Sequence, residues 1–344
     1  MGISEWETNL WQSLKTTNLA QVDTFHFDDY VRCYGQGADQ GLLRVCQKFR
    51  PNAVCLVLDG LPGSSDHLPK WQTLTSLKQQ FKLSIFSIWG DLQSPEQVKL
   101  SQKFVSIMDF YIYTATSVAL HGIKTNKPYV YFWVPKDRAV FFNPKIKRDI
   151  KVSFVGSLKP ERVKMINYLK AKGVKVFTGG GERADHLTVK QYAGILQRSK
   201  ISLNFSRSGW LPVMPARSFE ITGCGAMLLE EAGPETAKLF IPGVDYVPFF
   251  SKKDLLEKIR YYLVHDRERE AVARNGWQTC SHDYSAKRFW QLVLAMIKGE
   301  RKPQTIINFR ELPQGRLKAM DRFYANKYFT LICYYGDRLK TKIF

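Results

Sequence analysis

Short apolar runs alternate with amphipathic segments along the first half of the chain. The run at residues 53–58, AVCLVL, contains no polar residue and ends in Asp59-Gly60. A run of this kind is typical of a strand buried on both faces of a parallel sheet. The same reasoning predicts further strands at residues 23–27, 83–88, 110–114 and 129–133, an N-terminal helix, and helices at residues 42–48 and 70–81.

The second half of the chain repeats this alternation. Its apolar runs predict strands at residues 152–155, 174–177, 201–205 and 226–229. Amphipathic segments predict helices at residues 161–172, 189–197, 216–222, 254–264 and 268–280. Strand alternating with helix is the pattern of a doubly wound, parallel α/β sheet. The chain is therefore predicted to be an α/β protein with two Rossmann-like units.

The alternation stops at residues 134–150, where Pro135, Pro144 and a basic cluster interrupt the pattern. We predict an N-terminal domain at residues 1–143, a linker at 144–150, a C-terminal domain at 151–298 and a tail at 299–344. In the tail, lysines and arginines interleave with phenylalanines and tyrosines. This pattern suits a helix packed on the body of the protein, and equally a surface that meets a membrane or a nucleic acid.

Composition narrows the choice of partners and compartment. The chain of 344 residues has a formal net charge of +20, which favours a phosphorylated substrate, DNA or an acidic membrane face, although a generally basic soluble surface remains an alternative. The six cysteines form no CxxC pair and no histidine cluster has metal-ligand spacing, so we expect reduced thiols and no metal. No secretory signal and no apolar run of membrane-spanning length is evident, so we expect a cytoplasmic protein, either free or at the membrane face.

Candidate site residues follow the predicted strands, because ligands of doubly wound sheets bind at the carboxyl ends of strands. Glycine turns there would let backbone groups approach a phosphate. The sequence contains neither GxGxxG nor GxxxxGK[ST], which disfavours a dinucleotide or P-loop site. It also has no DxD pair near a strand end, so arginines, lysines and helix N-termini are expected to meet a diphosphate.

The densest signal is PARSFEITGCGAMLL at residues 215–229. It resembles the group 1 glycosyltransferases of GT-B architecture, most closely their CgeB-like branch, with its R-x-F-E run and a Gly-Ala pair before a strand. Other segments agree in order, namely WGD at 89–91, PKD at 135–137, FNP at 142–144 and FVGS at 154–157. The resemblance covers residues 20–290. It implies two Rossmann-like domains facing a cleft, and metal-independent transfer of a sugar from a nucleoside-diphosphate sugar, first of all a UDP-sugar, to a hydroxyl.

The resemblance also implies roles for individual residues. Glu220 would accept hydrogen bonds from the ribose hydroxyls, and Arg217 would face the diphosphate. Position 212, where the wider group carries a second glutamate, is Pro212, and no first strand with a glycine loop is evident. The remaining donor-site candidates are Gly156, Ser157, Gly179 and Asn204.

Acceptor chemistry is assigned to the first half. If the reaction inverts configuration, a strand-end carboxylate could deprotonate the acceptor hydroxyl, with Asp91 the first candidate and Asp59 the second. A retaining reaction needs no strong base, and both residues could instead cap helices. The acceptor is expected to be a glycan or glycolipid, or a modified DNA base. The alternative function is nucleic-acid binding on a degenerate GT-B scaffold without transferase activity.

Overall fold

The computed structural model describes residues 8–57, 68–89, 104–114, 127–180, 187–205, 207–208, 211–212, 216–237 and 239–302. Over these residues the chain forms two parallel sheets flanked by helices, together with a two-stranded hairpin. The predicted α/β class is confirmed. Both catalytic candidates, Asp59 and Asp91, lie outside the described residues, as do residues 303–344 of the predicted tail.

The first sheet has the same spatial order as its strands have in the chain. These strands are β1 (Ala53–Val57), β2 (Ser84–Trp89), β3 (Phe110–Tyr113) and β4 (Tyr129–Tyr131), all parallel. β2 and β3 are buried over almost their whole length, as uninterrupted apolar runs predict. β1 is only half-buried, so the prediction that it is covered on both faces is wrong. It lies at the edge of the described sheet, and Cys55 within it is exposed.

The second sheet has five strands, and their order in space differs from their order in the chain. Its strands are β5 (Ile150–Val155), β6 (Phe177–Gly179), β7 (Ser199–Asn204), β10 (Met227–Glu231) and β11 (Val247–Phe249), and the hairpin between them pairs β8 (Arg207–Ser208) with β9 (Leu211–Pro212). The order in space is β11-β10-β7-β5-β6, with all neighbours parallel. The chain therefore leaves β5 and β7 in opposite directions, which opens a crevice at their carboxyl ends.

Helices cover both sheets and join the two halves. They are α1 (Ser13–Lys15), α2 (Phe27–Tyr34), α3 (Ala38–Phe49), α4 (Trp71–Phe81), α5 (Pro160–Ala171), α6 (Val189–Arg198), α7 (Ala216–Gly223), α8 (Pro234–Ala237), α9 (Lys252–Val264), α10 (Asp266–His282) and α11 (Ala286–Ile297). α10 packs on α7 and β10 in the second half. α11 returns to the first half, where the Phe289 ring contacts the rings of Phe132 and Trp133.

Three predicted elements differ from the structure. The strand predicted at residues 23–27 is absent, and Phe27 instead begins α2, because Tyr30 packs between the rings of Phe25 and Tyr34 at helical spacing. β6 begins three residues later than predicted, since its register is set by pairing with β5. The N-terminal helix is a π-helical turn at Thr8–Gln12 followed by α1, and we call residues 8–15 the N-terminal arm.

The basic segment before β5 is fixed to the second half through Arg148. Its Nη1 atom donates to the backbone oxygens of residues 196, 197 and 199, and its Nη2 donates to the Cys224 oxygen at 2.9 Å. Gly225 has a φ of 72°, and a Cβ atom at this position would crowd the Asn143 side chain. One residue of the predicted basic cluster is therefore structural, while the domain boundaries themselves remain a prediction.

Candidate functional site

The strands β5 and β6 end side by side at the crevice. Gly156 directly follows β5, and its N–H donates to the Gly179 carbonyl oxygen at 3.0 Å. Its φ of 141° is a backbone conformation that favours glycine. Gly180 also has a positive φ, and it packs against the Gly156 backbone. The two turns leave backbone without side chains at the strand ends, so a phosphate can approach them closely.

Two guanidinium groups lie beside this turn. A Cβ atom at position 156 would overlap the Arg217 guanidinium, so the two residues are in close contact. Arg162 Nη1 donates to the Ser157 backbone oxygen at 3.0 Å and to its hydroxyl oxygen at 3.3 Å. The Cζ atoms of Arg217 and Arg162 lie 5.5 Å and 5.8 Å from the centre of the Phe154 ring. Partial burial, and the nearby charge of Arg217, lower the pKa of Arg162. Two adjacent cations at one turn form a place where an anion is favoured.

Asn204 connects Arg217 to a buried carboxylate. It ends β7, and its Oδ1 atom accepts from Arg217 Nη1 at 3.1 Å. Its Nδ2 atom donates to the Ser218 hydroxyl oxygen at 3.1 Å. The Ser218 hydroxyl in turn donates to Glu230 Oε2 at 2.7 Å, and the Thr236 hydroxyl donates to Glu230 Oε1 at 2.6 Å. One polar network therefore connects residues at the ends of β7 and β10 with the first turn of α7.

Glu230 is fully buried within this network. Burial raises its pKa from 4.5 to about 7, against the opposing effect of the neighbouring polar side chains of Thr236, Ser218 and Asn204 and of the Arg217 charge. Desolvation disfavours the charged form of a carboxylate, and here its hydrogen-bond partners are neutral groups. The carboxyl group is therefore close to the midpoint of its titration at neutral pH.

Glu220 lies one turn further along α7 and is also fully buried. Its Oε1 atom accepts from Lys136 Nζ at 2.8 Å and from Asn9 Nδ2 at 2.9 Å. Its Oε2 atom accepts from the Tyr192 hydroxyl at 2.5 Å. The carboxylate that was predicted to contact a ribose is therefore surrounded by protein side chains. Asn9 comes from the N-terminal arm, Lys136 from the segment between β4 and β5, and Tyr192 from α6.

The structure brings five predicted residues together at the crevice, and they are Gly156, Ser157, Gly179, Asn204 and Arg217. Glu220 lies on the same helix as Arg217, α7, but its carboxylate accepts hydrogen bonds from the Asn9 and Lys136 side chains. The sequence analysis did not identify Ser218, Glu230 or Thr236. A signal for Glu230 was present, because it is a charged residue near the end of a buried apolar run. Donor binding by the five residues at the crevice stays a prediction.

The predicted site departs from the wider family pattern at position 212. Pro212 lies in β9, where its backbone pairs with Arg207 of the hairpin. Among the described residues, no group of three or more His, Cys, Asp or Glu lies close enough together to hold a metal ion. Metal independence stays a prediction of the sequence.

Comparison with known families bears on the second half of the chain. The sequence model of the family described as "Glycosyl transferase-like" matches residues 138–295. These residues form a glycosyl transferase-like domain. The domain contains β5 to β11, the crevice and all five residues that meet there. With this match, glycosyl transfer is the class of activity of the chain, and the degenerate nucleic-acid-binding scaffold gains no support.

Solved structures extend the likeness to the first half. Anabaena Alr3699/HepE, crystallised in complex with UDP and glucose, matches with 10% identity and a TM-score of 0.55, over 84% of this chain and 89% of that one. Sucrose-phosphate synthase from Thermosynechococcus elongatus matches with 12% identity and a TM-score of 0.53, over 82% of each chain. TarM matches with 11% identity and a TM-score of 0.54, over 76% of this chain and 58% of that one.

At these identities the likeness establishes the fold alone, which is an α/β fold with parallel sheets of the GT-B type. No curated protein matches the sequence. In the part of the chain that the structure describes, none of the helices is both long enough and apolar enough to span a membrane.

Proposed function

We propose that the chain transfers a glycosyl unit from a UDP-sugar to a hydroxyl acceptor, and that the donor diphosphate binds at the crevice between β5 and β7. The contact between Arg217 and Gly156 carries this assignment, because it places a cation directly over a strand end without a side chain. Arg162, bonded to Ser157, adds a second cation. The choice of UDP follows Alr3699/HepE, which has a similar fold and was crystallised with UDP.

Charge and backbone geometry support a diphosphate at this position. Guanidinium groups bind phosphate oxygens through paired N–H donors, and these hydrogen bonds are about twice as strong as neutral ones. Ligands of this type of sheet bind at the switch point, which lies between β5 and β7 in the order β11-β10-β7-β5-β6. Because Gly156 has no side chain, the Arg217 guanidinium and a phosphate can both lie close to its backbone.

Glu220 differs from Arg217 in how a ligand could reach it. Its two oxygens already accept three hydrogen bonds inside the protein, and the side chain has no exposed surface. A ribose would reach it only if Asn9, Tyr192 or Lys136 moved away. We therefore retain ribose binding by Glu220 as a secondary assignment that requires such a movement, and base the donor site on Arg217.

Thermal stability tests the donor site directly. The wild-type chain is titrated with UDP, GDP, ADP and TDP and with UDP-glucose, and a ligand that binds only the folded state must raise the melting temperature. We expect UDP to give the largest rise and Arg217→Ala to weaken UDP binding by about 10- to 100-fold, the equivalent of a charge-assisted hydrogen bond.

The matched control is Arg198→Ala, because Arg198 is another arginine of the same domain and its partner is the exposed Asp149. We expect this variant to bind UDP like the wild type. A rise in melting temperature with UDP that is the same in Arg217→Ala and in the wild type would remove the diphosphate from this crevice. Absence of any rise with all four nucleotides would remove the donor assignment altogether.

We further propose that the acceptor is anionic or lies on an anionic surface, either a glycan or glycolipid at a membrane face or a modified base in DNA. The net charge of +20 supports this class of acceptor. Binding to duplex DNA, measured over a salt series, should fall linearly on a log–log plot if DNA is the acceptor. Absence of DNA binding at low salt, with binding to vesicles that contain acidic lipids, would assign the membrane face instead.

Two finer assignments belong to the same proposal. The run Arg217-Ser218-Phe219-Glu220 begins in the first turn of α7, and it favours the CgeB-like branch of the family. Asp91 and Asp59 remain the candidates for an acceptor base. Loss of transfer in Asp91→Asn with unchanged UDP binding would support the first of them, whereas unchanged transfer in both Asp→Asn variants would exclude a carboxylate base at these positions.

A further inference from the structure

A directed chain of hydrogen bonds leads from a buried carboxylate to Arg217. Glu230 Oε2 accepts from the Ser218 hydroxyl at 2.7 Å, and the Ser218 oxygen accepts from Asn204 Nδ2 at 3.1 Å. Asn204 Oδ1 then accepts from Arg217 Nη1 at 3.1 Å. Glu230, Ser218 and Asn204 are all fully buried, while Arg217 reaches the surface of the crevice.

The direction of each bond follows from the groups involved. When Glu230 is ionised it can only accept, so the single hydroxyl hydrogen of Ser218 is then directed at it. The Ser218 oxygen is then left to accept, and it takes a hydrogen from the Asn204 amide nitrogen. This fixes which way the amide points, because its two ends differ only in donor and acceptor character. The Asn204 oxygen therefore faces Arg217, which can only donate.

We propose that Glu230 is a positioning residue for the donor site, which acts through Ser218 and Asn204 to hold the Arg217 guanidinium over Gly156. This inference rests on the proposed function, since it assigns to Arg217 the diphosphate of the donor. A long arginine side chain loses substantial rotamer freedom when it is held in one place. If the Arg217 side chain is already held before the ligand binds, this loss of rotamer freedom is not part of the binding step, and binding is stronger.

Thr236 supplies a matched control within the same network. It donates to the other oxygen of Glu230, Oε1, at 2.6 Å, and it is as buried as Ser218. Thr236→Val and Ser218→Ala each remove one hydroxyl donor from the same carboxylate. Only Ser218→Ala interrupts the path from Glu230 to Asn204 and Arg217. A general loss of stability should therefore affect both variants, whereas a loss of positioning should affect one.

The experiment measures the UDP dissociation constant of the full chain by calorimetry for wild type, Ser218→Ala, Thr236→Val and Arg217→Lys. We expect Ser218→Ala to weaken UDP binding by about tenfold, corresponding to one hydrogen bond, and Thr236→Val to change it by less than about twofold. In turnover assays the same loss should raise KM for the donor more than it lowers kcat. Equal weakening in Ser218→Ala and Thr236→Val would overturn the positioning role.

A second measurement needs no ligand and so separates the two proposals. The side-chain Nε resonance of Arg217, assigned by its disappearance in Arg217→Lys, reports whether the guanidinium is held. It should be sharp and slowly exchanging in wild type and Thr236→Val, and broadened in Ser218→Ala. If wild type binds no UDP yet shows this pattern, the positioning role stands and the donor assignment fails. An Arg217 resonance that is unchanged in Ser218→Ala overturns the positioning role whatever the chain binds.

Discussion

Glu220 and Glu230 are two fully buried carboxylates of the glycosyl transferase-like domain whose partners differ in charge. Glu220 forms an ion pair with Lys136, supplemented by hydrogen bonds from Asn9 and Tyr192. Glu230 accepts from the hydroxyls of two neutral residues, and the charge of Arg217 acts on it without a direct bond. Only ten positions separate the two carboxylates, but they lie in different elements, α7 and β10.

The charge of the partners determines what each carboxylate can do. A buried ion pair holds its elements together, and removal of one partner leaves a charge that is buried without compensation. A buried carboxylate that is surrounded by hydroxyls can gain a proton near neutral pH and so responds to pH. Glu220 is thus placed as a clamp between the N-terminal arm, the segment before β5 and α7, whereas Glu230 is placed as an adjustable support of the donor site.

Breaking the ion pair should give the largest effect. Lys136→Met leaves the Glu220 carboxylate buried without its cation, so we expect the free energy of unfolding to fall by about 3–5 kcal/mol. Urea unfolding measures this change. The double variant Lys136→Met/Glu220→Gln should recover a large part of the loss, because it removes the charge as well. Arg198→Ala, which breaks an exposed ion pair with Asp149, should cost less than about 1 kcal/mol. A similarly small loss in Lys136→Met would contradict the clamp.

The pH dependence of stability tests the Glu230 side of the comparison. Below its ordinary pKa of 4.5 the carboxyl is protonated in both the folded and unfolded chain, and the stabilisation from the raised pKa is fully present. As pH rises towards the folded pKa of about 7, the unfolded chain ionises first and this stabilisation is lost. The total loss is on the order of 3 kcal/mol between pH 4 and pH 8.

Glu230→Gln should remove that pH-dependent component. Among the described residues, Arg217 on α7 and Tyr246, directly before β11, are the titratable groups that interact with Glu230, and neither is expected to change its charge in this pH range. The measured quantity is the difference in free energy of unfolding between wild type and Glu230→Gln, followed from pH 4 to pH 8. A difference that stays constant over this range would show that Glu230 titrates normally.

Much of the second half follows from its sequence. β5, β7 and β10 are short apolar runs bounded by polar or glycine residues, and their positions were predicted to within two residues. Because ligand-binding residues of such sheets gather at the strand ends, the same reasoning predicted Gly156 and Asn204 as site residues, whereas the role of Arg217 was implied by the family resemblance. The periodic pattern of α7 placed Arg217 in its first turn.

Contacts between distant segments could not be predicted in this way. Asn9 and Glu220 are 211 positions apart, and Lys136 and Glu220 are 84 positions apart, so no local pattern links them. Glu230 carries an ordinary sequence signal, that of a charged residue at the end of a strand. Its burial depends on partners outside its own strand, because β10 lies between β7 and β11 and the carboxyl group contacts Ser218 and Thr236.

The N-terminal arm gives the smallest of the expected effects. Asn9 donates to Glu220 at 2.9 Å and is fully buried, and its removal leaves Lys136 and Tyr192 in place. A hydrogen bond to a charged group contributes about 1.5–3 kcal/mol, so Asn9→Ala should lower the free energy of unfolding by roughly that amount, less than Lys136→Met. Urea unfolding measures the change.

Thr17→Ala is the local control, because the Thr17 hydroxyl donates to the carbonyl oxygen of Leu14, three residues earlier, and its loss should cost less than about 0.5 kcal/mol. UDP affinity adds a second reading of Asn9→Ala. If Glu220 contacts the ribose once the arm has moved, removal of the Asn9 side chain should strengthen UDP binding while it weakens the fold. If Glu220 is a clamp only, the fold should weaken and UDP affinity should stay the same. Equal stability of Asn9→Ala and Thr17→Ala would show that the arm does not hold Glu220 at all.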